Sequence, residues 1–150
     1  MSALSDWGIP AIVGGAAGAI GSLVRDILSS RMKTDEKLRD LRTPVYKELW
    51  KLTERLPKWP RADITYRDLY EFSAELKTWY FEKGGFYLSR RSHKRYTAVQ
   101  DALLEALTAA KETDAVSDPD YEAVRARCSA LRTEMTEDLL SRREGSRLLA

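Results

Sequence analysis

The feature that most constrains this chain is an uncharged run of 18 residues near its start, Trp7 to Val24. Charged side chains become dense only from Arg25 onward. As a helix rising about 1.5 Å per residue, the run reaches about 27 Å, close to the ~30 Å hydrocarbon core of a bilayer. Trp7 lies at one end, where an interfacial aromatic is expected. We therefore predict that residues 1–24 are an N-terminal tail and a transmembrane helix.

Three other interpretations of the run have less support. A cleaved signal peptide needs basic residues before its apolar stretch, and residues 1–6 offer only the acidic Asp6. The glycines from Gly14 to Gly18 suit a dinucleotide-binding turn, but that turn belongs to a βαβ unit, and residues 32–42 are a charged helical stretch. The third alternative is a helix buried within a soluble domain.

The charges that flank the run predict its orientation. No Lys or Arg precedes it, whereas six follow it closely: Arg25, Arg31, Lys33, Lys37, Arg39 and Arg42. The positive-inside rule therefore predicts a single-pass protein of the cell membrane, with its N-terminus outside and the domain after the run in the cytoplasm. Membrane lipid is thus the first partner that the sequence predicts.

Small residues recur within the run. Ala11, Gly14, Gly18 and Gly21 are three or four residues apart, so they share one face of a helix. Gly14 and Gly18 have the small-x-x-x-small spacing that lets two membrane helices pack closely. The pattern predicts a homo-oligomer through the transmembrane helix, or docking to the span of an unknown protein partner. The alternative is a weakly hydrophobic anchor whose glycines have no such role.

The remaining sequence predicts an all-α fold. No segment longer than four residues alternates apolar and polar side chains as a strand does. Apolar residues at helical spacing instead predict a cytoplasmic bundle of three to four helices over residues 25–143, followed by a flexible tail at 144–150. The helical stretches that we expect cover residues 22–42, 44–56, 66–83, 89–111 and 118–143.

Local signals mark the ends of these helices. Thr65 with Asp68 is similar to a capping box, and Asp118 is expected to cap the last helix. Thr43-Pro44 either separates the first two stretches or lies within one kinked helix over residues 9–56. The apolar residues expected in the core include Leu49, Leu56, Leu69, Phe72, Leu76, Tyr96, Val99, Leu103, Leu104, Leu107, Tyr121, Val124, Cys128, Leu131 and Met135.

The most distinctive string runs from Trp79 to Ser89 and holds an aromatic triplet, two glycines and two further aromatics. It is typical of a tight helix–helix corner, in which glycine takes a positive φ and the rings fill the end of the bundle. A ligand groove at this corner is the alternative.

Four basic residues open the next helix: Arg90, Arg91, Lys94 and Arg95. A helix start offers free N–H groups as well as side chains to an anion. The candidate ligands are anionic lipid headgroups, a nucleic-acid or nucleotide phosphate, and the acidic surface of a partner. The alternatives are an ordinary solvated face and neutralisation by the acidic residues of 101–150.

Charge is distributed unevenly along the chain. Residues 25–60 contain ten Lys or Arg and six Asp or Glu, whereas residues 101–150 contain seven and eleven. A chain that is basic beside its apolar run and acidic far from it suits an anionic membrane surface. The same distribution argues against nucleic acid as a partner, because a nucleic-acid binder is expected to be basic throughout.

We find no catalytic constellation in the sequence. His93 is the only histidine and has no Asp or Glu at helical spacing, and zinc or di-iron sites need several His, Cys or Glu ligands. Cys128 is the only cysteine, and we expect it to be a buried helix residue. These observations predict a protein that uses no cofactor and no metal and is not an enzyme.

One resemblance covers residues 40–143. It is carried by the strings Trp79-Tyr80-Phe81, Gly84-Gly85, Tyr87-Leu88-Ser89, Leu131-Arg132-Thr133 and Thr136-Glu137-Asp138-Leu139. Together they resemble a group of uncharacterised bacterial proteins, often actinobacterial, that combine an N-terminal hydrophobic segment with a helical region. The resemblance implies a bacterial origin and a helical domain, and it transfers no activity and no functional residue.

These features predict a non-enzymatic, single-pass membrane protein that presents a helical interaction module to itself or to a protein partner. The alternative is a peripheral binder of anionic lipid or nucleic acid that acts through the four basic residues.

Overall fold

The computed structural model describes residues 29, 30, 33, 35–108 and 110–140. The chain divides into two compact units, Met1–Arg39 and Asp40–Ala150. The membrane helix predicted within residues 1–24 and the tail predicted at 144–150 lie outside the described residues. Within the described ranges, no helix combines the length and the apolar character needed to cross a bilayer.

The first described helix, α1, covers residues 35–52. It passes through Thr43-Pro44 without interruption, so this part of the chain is one helix and not two. A 3-10 turn, Thr53–Arg55, follows it, and the chain then enters a loop between the expected helical stretches 44–56 and 66–83.

The second helix, α2, covers Tyr66–Trp79 and begins with the predicted capping box. The backbone N–H and the hydroxyl of Thr65 both donate to Asp68 Oδ2, at 2.7 and 2.8 Å. These hydrogen bonds hold the pKa of Asp68 below its ordinary value, because they stabilise the ionised carboxylate. The local sequence therefore fixes where α2 starts.

The third helix, α3, covers Arg90–Leu107 and ends before the boundary predicted at Lys111. The chain that follows runs antiparallel to the segment before α2, with one isolated bridge between Thr65 and Ala115. The N–H groups of the first two residues of α2 donate to carbonyls of this chain, at 3.1 and 2.9 Å. Such N–H groups have no partner within their own helix. The chain after α3 therefore accepts hydrogen bonds from the otherwise unpaired N–H groups at the start of α2, and it does not continue α3.

The fourth helix, α4, covers Asp118–Leu140. Its cap is Ser117 and not Asp118 as predicted, since the Ser117 hydroxyl accepts the Asp120 N–H at 3.3 Å. Asp118 instead forms an ion pair with Arg61, in the loop before α2, at 2.5 Å.

The helices of the second unit pack as a bundle around one hydrophobic core, so the all-α prediction is confirmed for the described part of the chain. The prediction that Leu104 lies in the core is wrong, because its side chain is 69% exposed while that of its neighbour Leu103 is fully buried. Adjacent helical residues point about 100° apart, so both cannot face the core. The described side chains with no more than 1% exposure are Leu49, Thr53, Leu56, Leu69, Phe72, Leu76, Ser92, Val99, Leu103, Tyr121, Val124, Cys128, Leu131 and Met135.

Candidate functional site

The string Trp79–Ser89, called the corner below, connects α2 to α3. Its first part is a π turn, Tyr80–Gly84, in which the Gly85 N–H donates to the Tyr80 carbonyl at 2.8 Å. Gly85 has φ −57° and ψ −33°, and neither described glycine has a positive φ. The predicted left-handed glycine is therefore wrong, because the wider π turn ends the helix while its backbone stays right-handed.

The corner requires glycine because a Cβ would overlap neighbouring atoms, and not because the backbone takes a positive φ. A Cβ on Gly84 would overlap the benzenoid carbons of the Trp79 ring. A Cβ on Gly85 would lie 2.9 Å from the Tyr80 carbonyl oxygen, which is closer than such contacts come in proteins. Trp79 is 5% exposed, and its indole Nε1 has no hydrogen-bond partner among the described residues. Close packing of ring on backbone thus fixes how the chain leaves α2.

Tyr80 connects the corner to α3. Its ring stacks on that of Tyr96, with 5.1 Å between centroids and 17° between planes. Its hydroxyl hydrogen bonds with His93 Nε2 at 3.1 Å. Phe81 packs edge-on against Tyr80, with 5.3 Å between ring centroids. His93 therefore has a polar partner from a different element, which no spacing along its own helix could indicate.

Two phenylalanines of the corner face solvent. Phe81 is 80% exposed and Phe86 is 91% exposed. The expectation that the rings of this string fill the end of the bundle therefore holds for the buried Trp79 and is wrong for these two. Three successive aromatics in a helical turn point in different directions, so they cannot all face the core.

The four predicted basic residues at the start of α3 are all exposed to solvent. Ser89 caps the helix, with its Oγ accepting the Ser92 N–H at 3.0 Å. Arg90, Arg91 and Lys94 are exposed, and their spacing places them on one side of α3. None of the three forms an ion pair with another described residue.

Arg95 is directed elsewhere, toward α4. Its Nε lies 3.7 Å from Oε2 of Glu134, a residue that is 9% exposed. The other carboxylate oxygen, Oε1, has no hydrogen-bond partner in the part of the chain that is described. Of the four basic residues, Arg95 is thus the one that is paired with an acidic residue of 101–150.

A polar network that the sequence did not predict lies beside the corner. Tyr46 Oη and Ser92 Oγ both donate to Asp138 Oδ2, at 2.8 and 2.6 Å. The backbone N–H of Ser89 donates to Tyr46 Oη at 3.2 Å. Burial raises the pKa of Tyr46 above its ordinary value, because desolvation disfavours the phenolate. The network joins α1, α3 and α4, whose contributing residues are too far apart in sequence for any local pattern to reveal it.

The polypeptide enters the bundle at the corner end. Near the start of this unit, Arg42 Nε donates to the Tyr87 carbonyl at 2.7 Å. At the other end, the hydroxyl of Tyr121 donates to the Pro57 carbonyl at 2.8 Å. Along α4, Tyr121 and Asp138 are separated by about 26 Å, which is the distance between the two ends.

A groove of about 630 Å³ lies between α1 and α2. Two ion pairs cross it, Glu48 with Lys83 at 3.1 Å and Arg55 with Glu75 at 2.5 Å. Its lining contains three acidic and three basic side chains. The groove therefore has no net charge that would select an ionic ligand.

Two further features of the described ranges concern metal ligands and the single cysteine. Within those ranges, no group of three or more His, Cys, Asp or Glu side chains is placed to hold a metal ion. Cys128 is buried as predicted, and burial raises the pKa of its thiol to about 12. Its thiolate, the nucleophilic form, is therefore scarce near neutral pH. The small residues predicted to pack membrane helices, Ala11, Gly14, Gly18 and Gly21, lie outside the described residues.

Comparisons of the chain with protein-family models, with curated proteins and with solved structures give no match. The resemblance to a bacterial helical group stays a prediction from the residues that carry it. Any function is therefore inferred from the sequence and from the geometry of the corner.

Proposed function

We propose that the protein is a non-enzymatic, single-pass membrane protein that presents a helical interaction module on the cytoplasmic side. The observation that carries this proposal is the uncharged run Trp7–Val24, followed at once by basic residues. The bundle supports it by providing a compact, well-packed unit for the chain to present.

Membrane fractionation tests the anchor. We expect the protein to stay in the membrane pellet through washes with concentrated salt and with carbonate, and to be released by detergent. The variant Val13→Arg/Ile20→Arg is the matched control, because each Arg near the middle of a span disfavours insertion by about 2.5–3.5 kcal/mol. Release of the unmodified protein by carbonate would contradict the anchor.

Self-association through the membrane helix is the second element of the proposal. The variant Gly14→Ile/Gly18→Ile should shift the detergent-solubilised protein from oligomer to monomer, because the larger side chains keep the helices apart. Gly15→Ile/Ala19→Ile has the same spacing on a neighbouring face and should leave the oligomer intact. Light scattering in detergent distinguishes these outcomes, and an unchanged mass for both variants would remove the self-association.

A second candidate function is supported by Arg90, Arg91 and Lys94, which are exposed and have no ion-pair partner in the described part of the chain, as suits a peripheral binder of anionic lipid or nucleic acid. Arg95 is set apart from this group by its ion pair with Glu134. Release of the protein from membranes by salt alone would favour this function over the anchored module, because peripheral electrostatic binding is screened by salt.

A further inference from the structure

We infer that the corner is a contact site for anionic phospholipid, in which Phe81 and Phe86 enter the bilayer interface and Arg90, Arg91 and Lys94 bind headgroup phosphates. The inference rests on the proposed membrane anchor. It deepens that proposal by naming the surface of the bundle that meets the bilayer.

The first support is the exposure of the two aromatic side chains. Phe81 is 80% exposed and Phe86 is 91% exposed, although the core of the same bundle is fully packed. Moving an apolar ring from water into a less polar medium lowers the free energy of the system. Apolar side chains beside Lys and Arg are also the composition of surfaces that bind the interfacial plane of a membrane.

The second support is that the Phe81 ring is packed on a neighbouring ring and that the backbone turn carrying Phe86 is hydrogen-bonded. Phe81 packs on Tyr80, whose ring is itself stacked on Tyr96 of α3. The residue after Phe86, Tyr87, donates its N–H to the Gly84 carbonyl at 3.0 Å, which closes the turn that displays Phe86. Insertion therefore costs little conformational entropy for the Phe81 ring and for the backbone that carries Phe86.

The third support is charge. Arg90, Arg91 and Lys94 lie within the first one and a half turns after Ser89, and none has an ion-pair partner among the described residues. The π turn adds the exposed acidic residue Glu82 and Lys83, which is paired with Glu48. Among the described residues, these three unpaired cations at the start of α3 outnumber the unpaired carboxylate Glu82 of the corner, so the combined surface is basic, as an anionic lipid surface requires.

The position of the corner gives the fourth support. The polypeptide enters the bundle at the corner end, where Arg42 donates to the Tyr87 carbonyl. This end is therefore the nearer one in sequence to the run Trp7–Val24. The exposed Trp59, 86% exposed, lies in the loop after Pro57 at the other end. Trp59 therefore offers a control site of similar exposure that should stay in water.

A site-specific probe in the full-length protein tests the inference. Phe86→Cys and, as the control, Trp59→Cys each carry one fluorophore, while the buried Cys128 stays unlabelled because its thiol pKa is about 12. The proteins are reconstituted into vesicles of phosphatidylcholine with or without phosphatidylglycerol, doped with a nitroxide lipid that quenches near the interface. We expect at least twofold stronger quenching at position 86 than at position 59, with phosphatidylglycerol required and 0.5 M salt abolishing the difference.

A charge variant tests the role of the basic residues. Arg90→Gln/Arg91→Gln/Lys94→Gln should weaken the contact at position 86 about a hundredfold, since each cation near an anionic surface strengthens binding about fivefold. The control Lys51→Gln/Lys77→Gln/Arg127→Gln removes three other exposed cations and should leave the quenching unchanged. Circular dichroism confirms that each variant is folded.

The outcomes separate the contact site from the anchor. If carbonate extracts the protein but the probe at position 86 is still quenched in phosphatidylglycerol vesicles, the anchor fails and the contact site stands. If the protein stays membrane-bound and positions 86 and 59 are quenched equally, the contact site is wrong and the anchor stands. Binding of a short DNA duplex that is lost in the Arg90/Arg91/Lys94 variant, without quenching at position 86, would also overturn the lipid contact.

Discussion

The ring of Trp79 packs so closely on the backbone at Gly84 that no side chain fits between them. This pair determines how the chain leaves α2, and it therefore determines where the exposed rings and the basic start of α3 are placed. The corner is a packed structural element first, and its exposed face is what remains available for binding.

Filling the space at position 84 should destabilise the fold. We expect Gly84→Ala to lower the free energy of unfolding by about 1–3 kcal/mol, as overpacking does in a close-packed core. In a Trp79→Phe background, which lacks the carbons that a Cβ would overlap, the same change should cost less. Urea unfolding of the four proteins measures this coupling, and an equal cost in both backgrounds would show that Trp79 is not the obstacle.

The network beside the corner predicts that removing the hydroxyl of Tyr46 lowers stability more than removing that of Tyr70. Tyr46→Phe removes the donor to Asp138 and the acceptor of the Ser89 N–H, so it should destabilise the protein by about 1 kcal/mol or more. Tyr70→Phe is the control, because Tyr70 is 61% exposed and has no hydrogen bond to the described residues. Chemical unfolding should show a lower midpoint for the first variant alone, and equal midpoints would remove the network from the stabilising interactions.

The capping box predicts an effect that depends on pH. Asp68→Ala should lower the free energy of unfolding by about 1 kcal/mol at pH 7, whereas Glu71→Ala on the exposed face should have little effect. Because the pKa of Asp68 is lowered in the folded state, its contribution is present above the unfolded pKa and is lost as the pH falls through the folded pKa. The difference between wild type and Asp68→Ala should therefore shrink below about pH 4, and a constant difference down to pH 2 would contradict this role.

From the buried thiol of Cys128 we predict that the folded protein loses stability at alkaline pH. Its folded pKa of about 12 lies above the ordinary thiol value, so at pH between these two values the unfolded state releases a proton that the folded state keeps. Stability should fall across that range by up to about 1.4 kcal/mol per pH unit from this group, and Cys128→Ala should show a shallower fall. Urea midpoints from pH 8 to 10.5 test this, and parallel profiles for the two proteins would show that the thiol does not contribute.

Sequence reasoning predicted the features that local patterns encode. The all-α class and the capping box at Thr65 both depend on a few neighbouring residues. The burial of Leu69, Phe72 and Leu76 follows from helical spacing alone.

Features that depend on distant contacts were missed. Helix α3 ends at Leu107 because the chain beyond it pairs with the start of α2. The prediction of a positive φ for a corner glycine was also wrong, for a local reason: glycine is required there because a Cβ would overlap the preceding aromatic residues. The network of Tyr46, Ser92 and Asp138 joins three helices, and no spacing within one helix indicates it.

Labelling of introduced cysteines in intact cells tests the membrane topology most directly. Ser2→Cys should react with a membrane-impermeant maleimide in intact cells, while Arg91→Cys should react only after the membrane is permeabilised. The buried Cys128 keeps the background low. If instead both positions react only after permeabilisation, or both react in intact cells, the single-pass topology with its N-terminus outside is wrong.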